Sequence, residues 1–274
     1  MLGQDRIGRA VAIGGRAGRA PQRLGGGDKC HAGAGTPRHA GSDVTLKNLH
    51  QARRAAHAVP ACADNRPTMI ECFFDCSSPW TWLAFRKLRT LAAELGVPVH
   101  WRPVLVGGIF NAVNPSVYAF RENGPPAKQA YLKKDLLDWA RHDGVTILFP
   151  PSVFPVNSVK AMRACCWVNA TLGAAAMENF AEAVFHAYWT LDQDIAQDAV
   201  LAAVCAQQGL DAAAVLAAIA TPEVKAQLKA NTDEVIARGG FGSPTLFVGG
   251  DDMYFGNDRL PLVREAVLRR LGRA

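Results

Sequence analysis

Phe74-Asp75-Cys76-Ser77-Ser78-Pro79-Trp80-Thr81-Trp82 decides how this chain folds. An apolar run, Met69 to Phe74, stops there, and Trp80, Ala84, Leu88, Leu91 and Leu95 follow at spacings of three and four, so a strand feeds a helix. Ser78 stands at the N-cap position, where its side chain accepts a backbone N–H. Pro79 takes the first helical position, where its missing donor costs nothing. A hydroxyl is thereby held at a helix end whose free N–H groups and aligned dipole favour an anion such as a thiolate.

Outward from that junction the elements follow in order. The spacing predicts a strand over 69–74, a helix over 79–95 and, after the helix-ending Gly96, a strand over 97–104. So short a return implies parallel strands joined by a right-handed crossover. Residues 106–115, with Gly107-Gly108 and Asn114-Pro115, read as an irregular loop whose glycines permit close backbone approach to a ligand, although turn geometry alone explains them equally well. Helices are expected over 126–142, 156–171, 174–189, 197–208, 211–219 and 222–238, with no β-rich run between them. Strand signals return at 244–248 and 253–255 around Gly249-Gly250-Asp251-Asp252, an antiparallel hairpin, and Asp258 is placed to cap a last helix over 259–271. The expected architecture is an α/β unit from 69–105 and 240–274 that carries an all-helical insertion over 106–239.

Composition excludes several classes. The 274 residues carry a net charge of +6, but eleven Arg and Lys against four Asp up to Thr68 give that segment +7, so the remainder is close to neutral at −1. The basic segment is rich in Gly, Ala and Arg and nearly free of aromatic residues for base stacking, which argues against nucleic acid. Residues 1–68 are expected to be a disordered basic extension, with a faint transit-peptide character, or else to precede a true start at Met69; Ala10 to Ile13 is too short for a secretory signal. No apolar run reaches a membrane span. Seven cysteines, an odd number in a long chain, read as reduced thiols and a cytoplasmic location, with Cys165, Cys166 and Cys205 as core residues. No Cys/His spacing fits a zinc site.

The strand, helix, strand opening and the strand, strand, helix close match a thioredoxin-like fold. In that family the first helix opens with Cys-x-x-Cys, and here Ser78-Pro79-Trp80-Thr81 stands in its place with both sulfurs missing. Gly242-Ser243-Pro244-Thr245 is similar to the family's loop with a cis proline, which faces the first helix. Together with Arg102 to Phe110, Phe154-Pro155-Val156-Asn157-Ser158 and Phe255-Gly256-Asn257-Asp258-Arg259, these motifs resemble the 2-hydroxychromene-2-carboxylate isomerases, relatives of the kappa-class glutathione transferases and of DsbA-like proteins. The resemblance runs from 69 to about 271.

The resemblance implies glutathione as cofactor and a set of contacts for it. Ser78 would hold the glutathione sulfur, with Asn114 close by, or Asn111 if the alignment slips. Lys128 would lie near the glycine carboxylate. Ser243, before Pro244, would offer backbone hydrogen bonds to the cysteinyl part, and Asn257 with Asp258 would receive the γ-glutamyl end. Magnitudes agree: a thiol of pKa about 8.5 needs about 1.4 kcal/mol per unit of lowering, while a hydrogen bond to a charged group gives roughly 1.5–3 kcal/mol and a helix N-terminus roughly 0.3–1 kcal/mol more.

The implied reaction interconverts 2-hydroxychromene-2-carboxylate and trans-o-hydroxybenzylidenepyruvate by reversible thiolate addition, which lets a double bond rotate. Trp80, Trp82, Phe110, Tyr131 and Lys128 are candidates for the apolar floor and the cation that a small aromatic carboxylate needs. A homodimer is also implied. The alternatives are a kappa-like transferase or peroxidase acting on electrophiles, a thiol-disulfide oxidoreductase, in which Cys76 would matter, and a binding module without catalysis. Arg86, Arg89 and Arg163 read as solvated helix faces, and His100, His142 and His186 as surface or satisfied polar residues.

Overall fold

The computed structural model describes residues 68–273, so the expectation of a disordered extension over 1–68 falls outside the described residues. A four-stranded sheet lies at the centre: β1 (Ile70–Phe74), β2 (Val99–Pro103), β3 (Thr245–Val248) and β4 (Asp252–Phe255), in the order β2-β1-β3-β4. β1 runs parallel to β2, with Ile70 beside Val99, and antiparallel to β3, with Cys72 beside Leu246. β3 and β4 form the expected hairpin.

Between β1 and β2 runs α1 (Pro79–Leu95), closed by Gly96 in the left-handed conformation at φ 69°, where its N–H reaches the carbonyls of Ala92 and Ala93. Eight helices then separate β2 from β3 among the described residues: α2 (Val106–Val113), α3 (Ser116–Asn123), α4 (Pro126–His142), α5 (Val159–Leu172), α6 (Ala174–Trp189), α7 (Asp198–Gln207), α8 (Ala212–Ala218) and α9 (Pro222–Ala237). A 3-10 turn, Asn257–Arg259, leads into α10 (Leu260–Arg270).

Alternation along the strands sorts side chains into two layers. Ile70, Cys72, Phe74, Leu246 and Val248 join one large core with α1, α5, α6 and α10, including Leu83, Phe85, Met162, Phe185 and Val267. Phe73 and Phe247 point the other way and meet Val104, Ile109 and Val235, so α2 and α9 cover the second face. The inserted helices therefore share their apolar core with the sheet. Phe85 packs 4.3 Å from Trp101 and 5.3 Å from Phe185 between ring centroids, which ties α1 to β2 and to α6.

Three expectations need correction. Residues 106–115 are not an irregular loop: Val106–Val113 are helical, because Ile109 fits the second core and the Val106 N–H finds a buried carboxylate, Asp75. The helix expected from 156 begins at Val159, after a segment with cis bonds before Pro150 and Pro155. Asp258 does not cap the last helix; it pairs with Arg259 inside the 3-10 turn, and α10 starts at Leu260 without a side-chain cap.

Candidate functional site

Ser78 caps α1 as its extended backbone (φ −100°, ψ 118°) allows: its Oγ accepts the Thr81 N–H at 3.2 Å. The same hydroxyl donates its one proton to the Ser243 carbonyl, 2.9 Å away, across 165 residues of sequence. The Ser243-Pro244 bond is cis, and this loop lies against the end of α1. With Thr81 N–H held by the serine side chain and Trp82 N–H by the Ser78 carbonyl, the Trp80 N–H is the first-turn amide without a partner among the described residues.

The loop is locked to the helix from behind. Ser243 Oγ accepts the Asp75 N–H at 3.0 Å and shares a hydrogen bond with Thr81 Oγ1 at 2.8 Å. Asp75 is fully buried. Its carboxylate accepts the Ser77 N–H at 2.8 Å, the Val106 N–H at 2.8 Å and the Ser158 O–H at 3.1 Å, joining the ends of β1, α2 and α5 in one knot. Burial pushes the Asp75 carboxyl above the usual carboxylate range, and these hydrogen bonds to its charged form offset part of the shift.

Ser78 opens onto a cavity of about 1110 Å³ between the end of α1, helices α2 to α4, residues 149–158 and the 241–243 loop. Phe110, Tyr118, Phe149, Phe154, Phe241 and Phe255 make much of its wall; among the described residues its cations are Arg121 and Lys133, and no Asp or Glu lines it. Of the residues singled out in the sequence, Ser78, Asn114 and Ser243 border this cavity together with Trp80 and Phe110. Asn114 Nδ2 donates to the Phe241 carbonyl at 3.2 Å, so it bridges the two flanks of the mouth.

The others sit elsewhere. Pro244 lies behind Ser243. Lys128 and Tyr131 are exposed on α4 and do not reach the cavity wall, and Asn111 is exposed on α2. Trp82 is buried against Phe185, with ring centroids 5.2 Å apart. Asn257 is buried, with its Nδ2 lacking a partner, and Asp258 is exposed; neither borders the cavity. Arg89, expected on a solvated face, instead forks between Glu178, Glu182 and Asn179.

Arg121, Lys133, Asn157 and Ser158 are among the lining polar groups that the sequence did not assign to the site. The cations were misplaced because α3 was not foreseen, and its rise out of Asn114-Pro115 is what carries Arg121 to the wall. A cation within a helical turn of Phe120, flanked by Gly124-Pro125, was the signal available.

The thiols among the described residues are poor candidates for redox chemistry. Cys76 is fully buried; burial and the neighbouring Cys165 thiol push its thiol up, away from the reactive thiolate. Cys166 is likewise pushed up to about 12 by burial. Cys165 and Cys205 are core residues, as their helical setting suggested. Among the described residues no group of His, Cys, Asp or Glu could hold a metal, and no helix is long and apolar enough to cross a membrane.

Comparison with known proteins places the fold in a family. A DsbA-like thioredoxin domain model matches residues 69–268. The 2-hydroxychromene-2-carboxylate isomerase of Pseudomonas putida is 30% identical over 203 residues, covering 73% of this chain and 95% of the relative. Human glutathione S-transferase kappa 1 is 29% identical over 211 residues, covering 72% of this chain and 89% of the relative. A solved 2-hydroxychromene-2-carboxylate isomerase superposes with a TM-score of 0.61 at 28% identity, over 75% of this chain and 96% of that one. A probable DsbA oxidoreductase from Streptomyces coelicolor, at 19% identity and a TM-score of 0.58 over 76% of this chain and 91% of that one, shares the fold. Ser78 and Thr81 at the opening of α1, a cis proline facing them and these matches lead to one assignment: the chain belongs to the DsbA-like thioredoxin domains, in the family of the 2-hydroxychromene-2-carboxylate isomerases and kappa-class glutathione transferases.

Proposed function

We propose that the protein is a glutathione-dependent isomerase that interconverts 2-hydroxychromene-2-carboxylate and trans-o-hydroxybenzylidenepyruvate. The observation that carries this reading is the Ser78 hydroxyl, set at a helix N-terminus, bonded to the carbonyl before a cis proline, and opening on an apolar cavity whose charged groups among the described residues are cations. Bound glutathione would supply a thiolate that adds reversibly to a conjugated enone.

The residues fit that cofactor. Ser78 and the unpartnered Trp80 N–H are two donors at the positive end of α1, suited to an anionic sulfur. Ser78 has one proton and gives it to the Ser243 carbonyl here, so it can turn to sulfur only when that carbonyl accepts another N–H. A peptide amide supplies one, which favours a cysteine-containing peptide over a simple thiol. A hydrogen bond to a charged group gives roughly 1.5–3 kcal/mol, enough to lower a thiol pKa by a unit or more. Asn257 and Asp258 remain our assignment for the γ-glutamyl end and Lys128 for the glycine carboxylate; all three lie outside the cavity wall and would have to act from its surroundings.

A cavity of this size exceeds what one small ligand needs, leaving room for an aromatic acid beside a tripeptide. Incubating the purified chain with 2-hydroxychromene-2-carboxylate and following its ultraviolet spectrum, with and without glutathione, tests the reading. Conversion that requires glutathione is expected. Conversion indifferent to glutathione, or a stable glutathione conjugate in place of the isomer, would refute it, the second outcome pointing to transferase chemistry.

A further inference from the structure

The cavity's cations are unequal. Arg121, near the end of α3, places its guanidinium 5.7 Å from the Phe110 ring centroid and 5.5 Å from that of Phe154, rings contributed by two separate segments of the wall. Gln129, from α4, donates to the carbonyls of Phe120 and Arg121 at 2.9 and 3.2 Å, which fixes the turn that carries the side chain. Among the described residues no carboxylate pairs with Arg121, whereas the half-buried Arg89, Arg102 and Arg238 are each matched to one. A guanidinium carries its N–H donors in a planar fork that pairs bidentately with a carboxylate. Lys133 also lines the cavity, but among the described residues no aromatic ring contact orients its ammonium.

We propose that Arg121 is the anchor for the carboxylate of an aromatic acid in this cavity, and that it sets the preference for such acids over neutral electrophiles of the same shape. The ring contacts orient the guanidinium, the apolar wall takes the aromatic body of the ligand, and among the described residues no lining Asp or Glu compensates the charge before an acid binds. The proposal rests on the isomerase reading for the identity of the natural acid, but the binding preference does not depend on it.

Isothermal titration with trans-cinnamate and with neutral cinnamamide, on the full chain without glutathione, tests it. Wild type should bind cinnamate at least roughly tenfold more tightly than cinnamamide, and Arg121→Gln should abolish that difference. Lys133→Gln should keep most of it. Arg121 is exposed, so the variant should fold, which far-ultraviolet circular dichroism checks. A preference that survives Arg121→Gln, or none in wild type, overturns the proposal. A second arm separates it from the role of Ser78: glutathione titrated into Arg121→Gln should bind within about twofold of wild type. Weakened glutathione binding with the cinnamate preference intact would assign Arg121 to the cofactor instead. A wild type that fails to ionise glutathione would count against Ser78 alone and leave the cinnamate result standing.

Discussion

Asp75 shows how much of the site depends on a residue that touches neither the cavity nor its contents. Its buried carboxylate holds the Ser77 and Val106 amides and the Ser158 hydroxyl, while its own N–H holds Ser243 Oγ. Desolvation raises its pKa above the ordinary 3.8, with those hydrogen bonds pulling the other way. The folded state thus binds a proton that the unfolded state has released, and wild-type stability falls as pH rises from about 3.8 through the raised folded value. In Asp75→Asn that titration is gone. Urea unfolding of both proteins across this range should therefore show the variant gaining on wild type as pH rises; a shift in the opposite direction would mean that the hydrogen bonds outweigh burial. Sequence alone marked Asp75 as part of the opening motif and nothing more, because its three acceptor contacts join segments up to 83 residues apart.

At the scale of elements, α1 is the member that must not move. Its start carries Ser78, and its middle is held by Phe85, fully buried among Phe74, Trp101 and Phe185. Phe85→Ala should cost about 3–5 kcal/mol in urea denaturation, because the removed ring leaves a cavity that three other elements line. A loss under about 1 kcal/mol would mean that the cluster collapses onto the gap. Elements with sustained periodicity, such as α1, α4, α6 and β3, were legible in the sequence to within a residue or two. α2 was not, since Gly107-Gly108 weakens local helix propensity and its formation draws on Ile109 in the second core and on Asp75 at its N-terminus. Nothing local to 106–113 carries that information.

At the scale of the molecule, the site is an assembly of distant parts: the β1–α1 junction, the α2–α4 wall, residues 149–158 and the loop before β3. The sheet brings the ends together, since β1 pairs with β3 from the far end of the domain and sets Ser243 opposite Ser78. In the sequence that meeting is only what the family resemblance implies; it shows as a 2.9 Å hydrogen bond once the chain is folded. The cavity's cations were not foreseen, because Lys128 and Arg121 cannot be told apart until α3 and α4 are packed. The central claim is that Ser78 ionises a borrowed thiol, and the ultraviolet thiolate absorbance of glutathione bound at neutral pH, in wild type and in Ser78→Ala, tests it most directly. Losing the N-cap costs about 1 kcal/mol, so the variant should remain folded. Wild type should show the thiolate band and Ser78→Ala should lose it; a band of equal strength in both, or in neither, would contradict the claim.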